Sequence, residues 1–440
     1  MLEEGLLLRK KTSWTFRPSF ARADRDTAAS NICGAEEQRE YMKRGITGIA
    51  LSLLAGAGLA FGSTEHHVVR HAKGHATTKT AVHGAPRTVL QRVVVNGHVH
   101  YVRRTLGYHS YERFTTSSFA DNLTTGDVTT GEDLTVRAAA VEALGNMNGT
   151  VLAIDPSNGR ILSMVNQKMA LGAGAEPCST IKVAVALAAL KEGLIKSDTP
   201  VNLGGHYSLD LTHALAKSVN LYFEVLGRAM GFERVKHYAN EFGLGELAGY
   251  DISGEQLGVY PDVELPQSAG GVGRMCSFGE SVSMTPLQLG ALVSAIANGG
   301  TLYYLQHPTT PEELAAFEPK VKRQLDIQDV IPEILPGMRG AVEFRNGTAR
   351  SLQENFVQFP VFGKTGTCSN NGTRYGWFVS YGQAPTGPIV TVVFLEGGRP
   401  TFGPKAAELT GAFYRAMYER NYFAPKPEQT QSAMTTTAGN

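Results

Sequence analysis

Ser179 and Lys182 stand three residues apart, a spacing that places two side chains on one face of a helix, about one turn from each other. A serine hydroxyl is a weak nucleophile until a base takes its proton. A lysine serves as that base only when its ammonium gives up a proton far below the ordinary lysine range, which burial and a neighbouring positive charge bring about. Lys364 is the candidate for that charge. A serine at the start of a helix also sits where the helix dipole favours developing negative charge. Two further short motifs follow in the chain, Ser218-Val-Asn220 and Lys364-Thr365-Gly366. From average residue usage, roughly one S-x-x-K and one S-x-N arise by chance in a chain this long, and K-T-G in on the order of one chain in ten. Their order and their placement on the right elements therefore carry the weight. An N-capping role would explain Ser179 alone and leave the other two motifs without a reason.

The elements that must position these residues form an α/β pattern from Glu132 onward. The periodicity predicts a helix over Leu134–Leu144. Two strands, Thr150–Ile154 and Ile161–Val165, flank the turn Asp155-Pro-Ser-Asn-Gly159. Thr180–Leu190 reads as an Ala-rich helix, and several helical stretches run on to Asn298. Strands return at Val361–Thr367, Gly376–Tyr381 and Ile389–Glu396, and a last helix covers about Lys405–Tyr418. Strands from both ends of this region make one sheet. The expected fold class is α+β, an antiparallel sheet flanked by helices with an inserted helical lobe and one N-terminal membrane segment.

With these flanks the chain resembles the penicillin-binding proteins and serine β-lactamases, whose sites use S-x-x-K, S-x-N and K-T-G in that order. Glu176-Pro-Cys-Ser-Thr-Ile-Lys182 is similar to the E-P-G-S-T-x-K of transpeptidases, and Ala214–Phe223 to their second-motif segment. Thr285-Pro-Leu-Gln-Leu289 with Ala297-Asn-Gly-Gly300, Gly347-Thr-Ala349 and Gly363-Lys-Thr-Gly-Thr367 extend the likeness, which covers about Leu134 to Tyr418. The resemblance implies a D,D-transpeptidase in which Ser179 is acylated by a stem peptide ending in D-Ala-D-Ala, or by a penicillin, with no metal or organic cofactor. It implies that Ser218 relays a proton to the leaving group and that Asn220 holds the donor backbone. Lys364 and Thr365 would hold a carboxylate. Gly366 would let an extended peptide approach the strand, and the N–H groups of Ser179 and Thr367 would form the oxyanion hole. The alternatives are a serine β-lactamase or a D,D-carboxypeptidase, which hand the acyl group to water, and a non-catalytic β-lactam sensor. No E-x-x-x-N segment of the class A lactamase kind stands out, and a carbamylated lysine as in class D stays open.

The chain departs from the family where Cys178 replaces the glycine before the nucleophile. Certain carbapenem-hydrolysing class A β-lactamases place a cysteine pair at the same motif-relative positions as Cys178 and Cys368. The resemblance thus implies a Cys178–Cys368 disulfide beside the shared oxyanion hole. The other reading leaves both as small space-filling residues, with Cys276 as a third thiol.

Composition sets the outer bounds. With 440 residues, 42% hydrophobic and 18% charged, the chain suits one large or two ordinary globular domains. A net charge of +1 gives no bulk attraction to nucleic acid. Four cysteines without a C-x-x-C pair exclude a zinc ribbon or thioredoxin-like site. Lys43-Arg44 before the uncharged run Gly45–Gly62 reads as a signal peptide or membrane anchor over 42–62, with everything after it outside the cytoplasmic membrane. Residues 1–41 are then either an upstream start assignment or a cytoplasmic tail. Residues 63–131 form a His-rich linker with a hairpin in Arg92–Val102 turning at Asn96-Gly97. The linker's His66, His67, His71, His75 and His83 lack metal-site spacing and read as solvated. The penicillin-binding domain spans 132–420, and 421–440 reads as a disordered tail. About 70 residues between membrane segment and domain leave no room for a large pedestal, so docking to cell-wall synthesis proteins is the least supported partner expectation.

Overall fold

The computed structural model describes residues 114–424 together with two strands, β1 (Thr88–Val95) and β2 (His98–Thr105). The extension 1–41, the segment 42–62 and the His-rich residues 63–86 lie outside the described residues. The two strands pair antiparallel, with Val95 opposite His98, while the Asn96-Gly97 turn also lies outside. Among the described residues no helix is long and apolar enough to cross a membrane, and no group of three His, Cys, Asp or Glu residues is placed to hold a metal.

The sheet is assembled from both ends of the domain, as the spread of strand signals implied. Its strands are β3 (Gly149–Asp155), β4 (Arg160–Val165), β9 (Val361–Asn370), β10 (Thr373–Ala384) and β11 (Gly387–Gly397). They run in the order β4-β3-β11-β10-β9, every neighbour antiparallel, so β9 lies at one edge. Strand alternation sends Val151 and Ala153 to one face and Leu152 and Ile154 to the other, and all four are buried. The first face is covered by helices α1 (Leu134–Leu144) and α11 (Gly403–Glu419). Asp133 starts α1 by accepting from the Thr135 and Val136 N–H groups. Opposite lies the helical lobe inserted between β4 and β9. Two small hairpins lie within it, β5 (Val201–Gly204) with β6 (Tyr207–Leu209), and β7 (Thr301–Tyr303) with β8 (Val321–Gln324).

Boundaries differ from the sequence expectation in three places. Helix Thr180–Leu190 resolves into a 3-10 turn, Cys178–Ile181, followed by helix α3 (Lys182–Lys191). Residues 115–131 are irregular yet packed: the Thr115 N–H donates to Gly372 O, and Ser118 bonds Gly398 and Thr401. Residues 421–424 belong to the packed domain rather than to a tail, since Phe423 is buried with its ring 5.0 Å from that of Phe359.

Candidate active site

Pro177 leads the chain into the turn that carries Ser179. The Pro177 carbonyl accepts from both the N–H and the hydroxyl of Thr180, at 3.1 and 2.6 Å. Trp377 of β10 donates its indole N–H to Glu176 O at 3.0 Å, fixing the turn to the sheet. Helix α3 is then buried nearly all round, so Lys182 has no route to solvent along its own helix. The second motif lies between α4 (Leu211–Ala216) and α5 (Asn220–Met230). Ser218 is held there with φ +57°, a left-handed conformation that costs a non-glycine residue about 1–2 kcal/mol and persists where surrounding contacts impose it. The third motif lies on edge strand β9. Its register against β10 pairs Lys364 with Val379, Gly366 with Trp377 and Cys368 with Tyr375, so all three face the lobe.

These elements bring Ser179, Lys182, Ser218, Asn220 and Lys364 into one cluster. Lys182 Nζ lies 2.9 Å from Ser179 Oγ, 3.0 Å from both Ser218 O and Ser218 Oγ, and 2.6 Å from Asn220 Oδ1. Two of these neighbours, the Ser218 carbonyl and the Asn220 amide oxygen, can only accept. A neutral lysine amine has two N–H groups and one lone pair. When both N–H groups go to those carbonyls, the lone pair is left for a hydroxyl. Lys364 Nζ donates to Ser218 Oγ at 2.8 Å and Thr365 O at 2.9 Å, so the Ser218 hydroxyl bridges the two amines.

Both lysines are fully buried, and among the described residues neither has a carboxylate within salt-bridge distance. Burial, then the Lys364 charge, hold Lys182 well below the usual lysine range, against a weaker opposing pull from Glu224. Burial alone pushes Lys364 down to about 7. A buried ammonium with no counter-ion either loses its proton or awaits an anion. Such surroundings suit a proton acceptor at Lys182 and an anion beside Lys364.

Gly366 has a different reason than sequence alone suggested. A Cβ there would sit 2.8 Å from Pro177 O and 3.2 Å from Trp377 Cβ. Glycine is required for the nucleophile turn to lie directly on β9, while among the described residues no strand pairs with the outer edge of β9. Thr365 and Thr367 face the other way. Thr365 Oγ1 lies 2.7 Å from Thr348 Oγ1, and Thr367 Oγ1 accepts from the Gly403 N–H at 2.8 Å. Thr348 belongs to the Gly347-Thr-Ala349 segment, which marks the family resemblance in sequence but suggests no role there for the threonine.

A Cys178–Cys368 disulfide closes one side of the site, with Cα atoms 5.6 Å apart and 190 residues between them in sequence. Cys276 is free and buried among the described residues. Cys178 adopts φ +50°, which favours glycine at this position, and the bridge holds the cysteine there. Ser179 and Thr367 each adjoin one half-cystine in sequence. Non-reducing peptide mapping is expected to return a linked Cys178–Cys368 peptide; free thiols at both positions would contradict the pairing. The double variant Cys178→Gly, Cys368→Ser relieves the left-handed strain while removing the bridge. It should lose about 2–5 kcal/mol of stability in denaturant unfolding.

Residues 149–417 match the family model described as the penicillin binding protein transpeptidase domain. Over 333 residues the chain is 27% identical to the stage V sporulation protein D of Bacillus subtilis, covering 64% of this chain and 50% of that protein. Over 423 residues it is 24% identical to the peptidoglycan D,D-transpeptidase MrdA of Acinetobacter baumannii, covering 76% and 61%. Over 309 residues it is 26% identical to the peptidoglycan D,D-transpeptidase FtsI of Escherichia coli, covering 60% and 50%. The chain therefore spans between 50% and 61% of the length of these curated relatives. The crystal structure of Pseudomonas aeruginosa PBP2 in complex with WCK 5153 shares the fold, with a TM-score of 0.57 at 22% identity over 68% of this chain and 78% of that one.

Proposed function

The chain belongs to the penicillin binding protein transpeptidase family, and from that premise we propose that it is a peptidoglycan D,D-transpeptidase working through a Ser179 acyl-enzyme. The observation that carries the reading is the pair of buried lysines that have no carboxylate partner among the described residues, one beside Ser179 Oγ and both on Ser218 Oγ.

A donor stem peptide ending in D-Ala-D-Ala lies extended along the open edge of β9. Its terminal carboxylate meets Lys364 and Thr365, and Asn220 holds its backbone. Lys182 takes the Ser179 proton as Oγ attacks the penultimate carbonyl carbon. The N–H groups of Ser179 and Thr367 receive the oxyanion. The proton returns from Lys182 through Ser218 to the nitrogen of the leaving D-Ala as the peptide bond breaks. An amine from a second stem peptide then attacks the Ser179 ester. Its proton passes to Lys182 and on to Ser179 Oγ, leaving an amide cross-link. A penicillin acylates the same serine and has no leaving group that departs.

The site works outside the cytoplasmic membrane. The basic residues Lys43-Arg44 ahead of an apolar run support this, as does a disulfide, which oxidising compartments favour. Product analysis with a pentapeptide donor tests the acceptor. With an acceptor amine present, the cross-linked amide should be the main product. Hydrolysed tetrapeptide alone, whatever the amine concentration, would make the protein a carboxypeptidase. Sustained nitrocefin turnover would make it a β-lactamase.

A further inference from the structure

We propose that Glu176 is a specificity-determining residue for the donor: its carboxylate receives an ammonium carried by the side chain that precedes D-Ala-D-Ala. This rests on the reading of β9 as the strand along which the donor lies, and that reading sets the donor's direction. With the terminal carboxylate at Lys364 and Thr365 and the reacting carbonyl at Thr367, the residue before D-Ala-D-Ala passes Cys368 and Ser369. Cys368 is bridged to Cys178, two residues after Glu176, and the Trp377 indole holds the Glu176 carbonyl on β10. Tyr375 pairs with Cys368 across the β9–β10 ladder, so the two side chains leave the same face of the sheet. Burial, then the charges of Glu396 and Glu176, raise the Tyr375 phenol, so the Glu176 carboxylate lies near that ring.

What Glu176 lacks is a cation of its own. It is half-buried, and among the described residues no side-chain hydrogen bond or ion pair reaches its carboxylate. Its charged neighbours are Glu280 and Arg274, with Tyr375 facing it from β10. Gly279, just before Glu280, lies so close to the Pro177 ring that a Cβ there would clash, which brings Glu280 to the nucleophile turn. Arg274, in helix α7 (Gly271–Phe278), is engaged with Glu280 at 2.8 Å and with the Phe278 ring, 4.0 Å from its centroid. Two carboxylates therefore share one arginine. Burial, then the Glu280 charge, push Glu176 up to about 7 against a weaker pull from Arg274. An ammonium beside Glu176 supplies the missing positive charge and favours the ionised carboxylate. A lysine-like side chain suits the role, since it carries a compact charge on a flexible stem.

The test compares two donors on the full chain, Nα-acetyl-L-Lys-D-Ala-D-Ala and the same peptide with its side-chain amine acetylated, by the rate of D-Ala release at low donor concentration. Wild type should favour the free amine about tenfold, the size of one charge-assisted hydrogen bond at a half-exposed site. Glu176→Gln keeps the side-chain shape and removes the charge, and should bring the two rates together by slowing the free amine. Glu176→Asp should keep part of the preference. Both donors carry the same terminal carboxylate, so the titration of Lys364 cancels in the ratio of their rates. That ratio should fall as pH drops through about 7, where Glu176 takes up a proton, and stay flat in Glu176→Gln. Equal losses for both donors in a Glu176→Gln protein of wild-type melting would mean a structural role only and overturn the proposal, as would a preference that survives the substitution. If Glu176→Gln fails to fold, Glu176→Asp and the wild-type pH profile decide, and a ratio that stays flat across that range overturns the proposal. A wild type that releases D-Ala from both donors equally overturns this proposal alone. One that releases it from neither overturns the transpeptidase reading together with it.

Discussion

Ser179→Ala should leave no covalent penicillin on the protein, while the fold and its melting temperature stay close to wild type. Ser179 is half-buried at the mouth of the site, and its hydroxyl contributes one contact, to Lys182. Removing that oxygen takes away the atom that forms the ester. The other hydroxyl of the cluster, Ser218, lies 3.0 Å from Lys182 Nζ and so sits within reach of the same base. It is the residue to watch for a displaced adduct. Its oxygen also accepts from Lys364 and its backbone is held in a left-handed conformation, both of which suit a relay rather than an attacking group. Fluorescent penicillin followed by denaturing electrophoresis reads the outcome. Label retained on folded Ser179→Ala would move the nucleophile elsewhere.

Lys182→Arg should slow acylation by about 10²–10⁴-fold although the charge is kept, because a guanidinium does not deprotonate in a protein and cannot act as the base. Arginine also brings five N–H donors where two carbonyls and two hydroxyls are arranged around one nitrogen. The pH profile carries the same point. The base works only when neutral, so acylation falls as pH drops through the Lys182 pKa, which burial and Lys364 hold well below the ordinary lysine range. In the other direction, Lys364 is pushed to about 7 in the free protein. As pH rises past that value its charge is lost, and an anionic ligand binds less readily. The wild-type acylation rate at low penicillin concentration should therefore fall at both ends of the pH range. An arginine variant acylating at near wild-type rate would make Lys182 an electrostatic element and place the base on another group.

The three motifs were legible because their order and their flanks resemble those of the penicillin-binding proteins, and Ser179 to Lys182 is a local relation that helical spacing alone predicts. The antiparallel sheet was legible because strand signals cluster at both ends of the domain, with helical spacing between them. What sequence could not display are relations between distant segments. Gly366 faces Pro177 across a separation of 189 positions, and only the packed structure shows that a Cβ there has no room. Thr348 meets Thr365 only because its turn is set against β9. The left-handed backbones of Cys178 and Ser218 are imposed by tertiary contacts on residues whose own preferences oppose them. Strands β9 and β10 run past their apolar stretches, through Ser369-Asn370 and Thr373-Arg374, because hairpin register rather than hydrophobic pattern sets their ends. Ser179 lies in a 3-10 turn and not at the first turn of a long helix. That turn packs against β9, a neighbour distant in sequence.

The most direct measurement is to intercept the acyl-enzyme itself. The full chain would be quenched in acid during turnover of a stem peptide ending in D-Ala-D-Ala, digested, and mapped by mass spectrometry. The expected adduct equals the donor peptide less one D-Ala and is carried by the peptide that contains Ser179. It should shrink as acceptor amine is raised and cross-linked product appears. Product formed with no adduct at any quench time, or an adduct on another residue, would contradict the assignment of Ser179 as the acyl carrier.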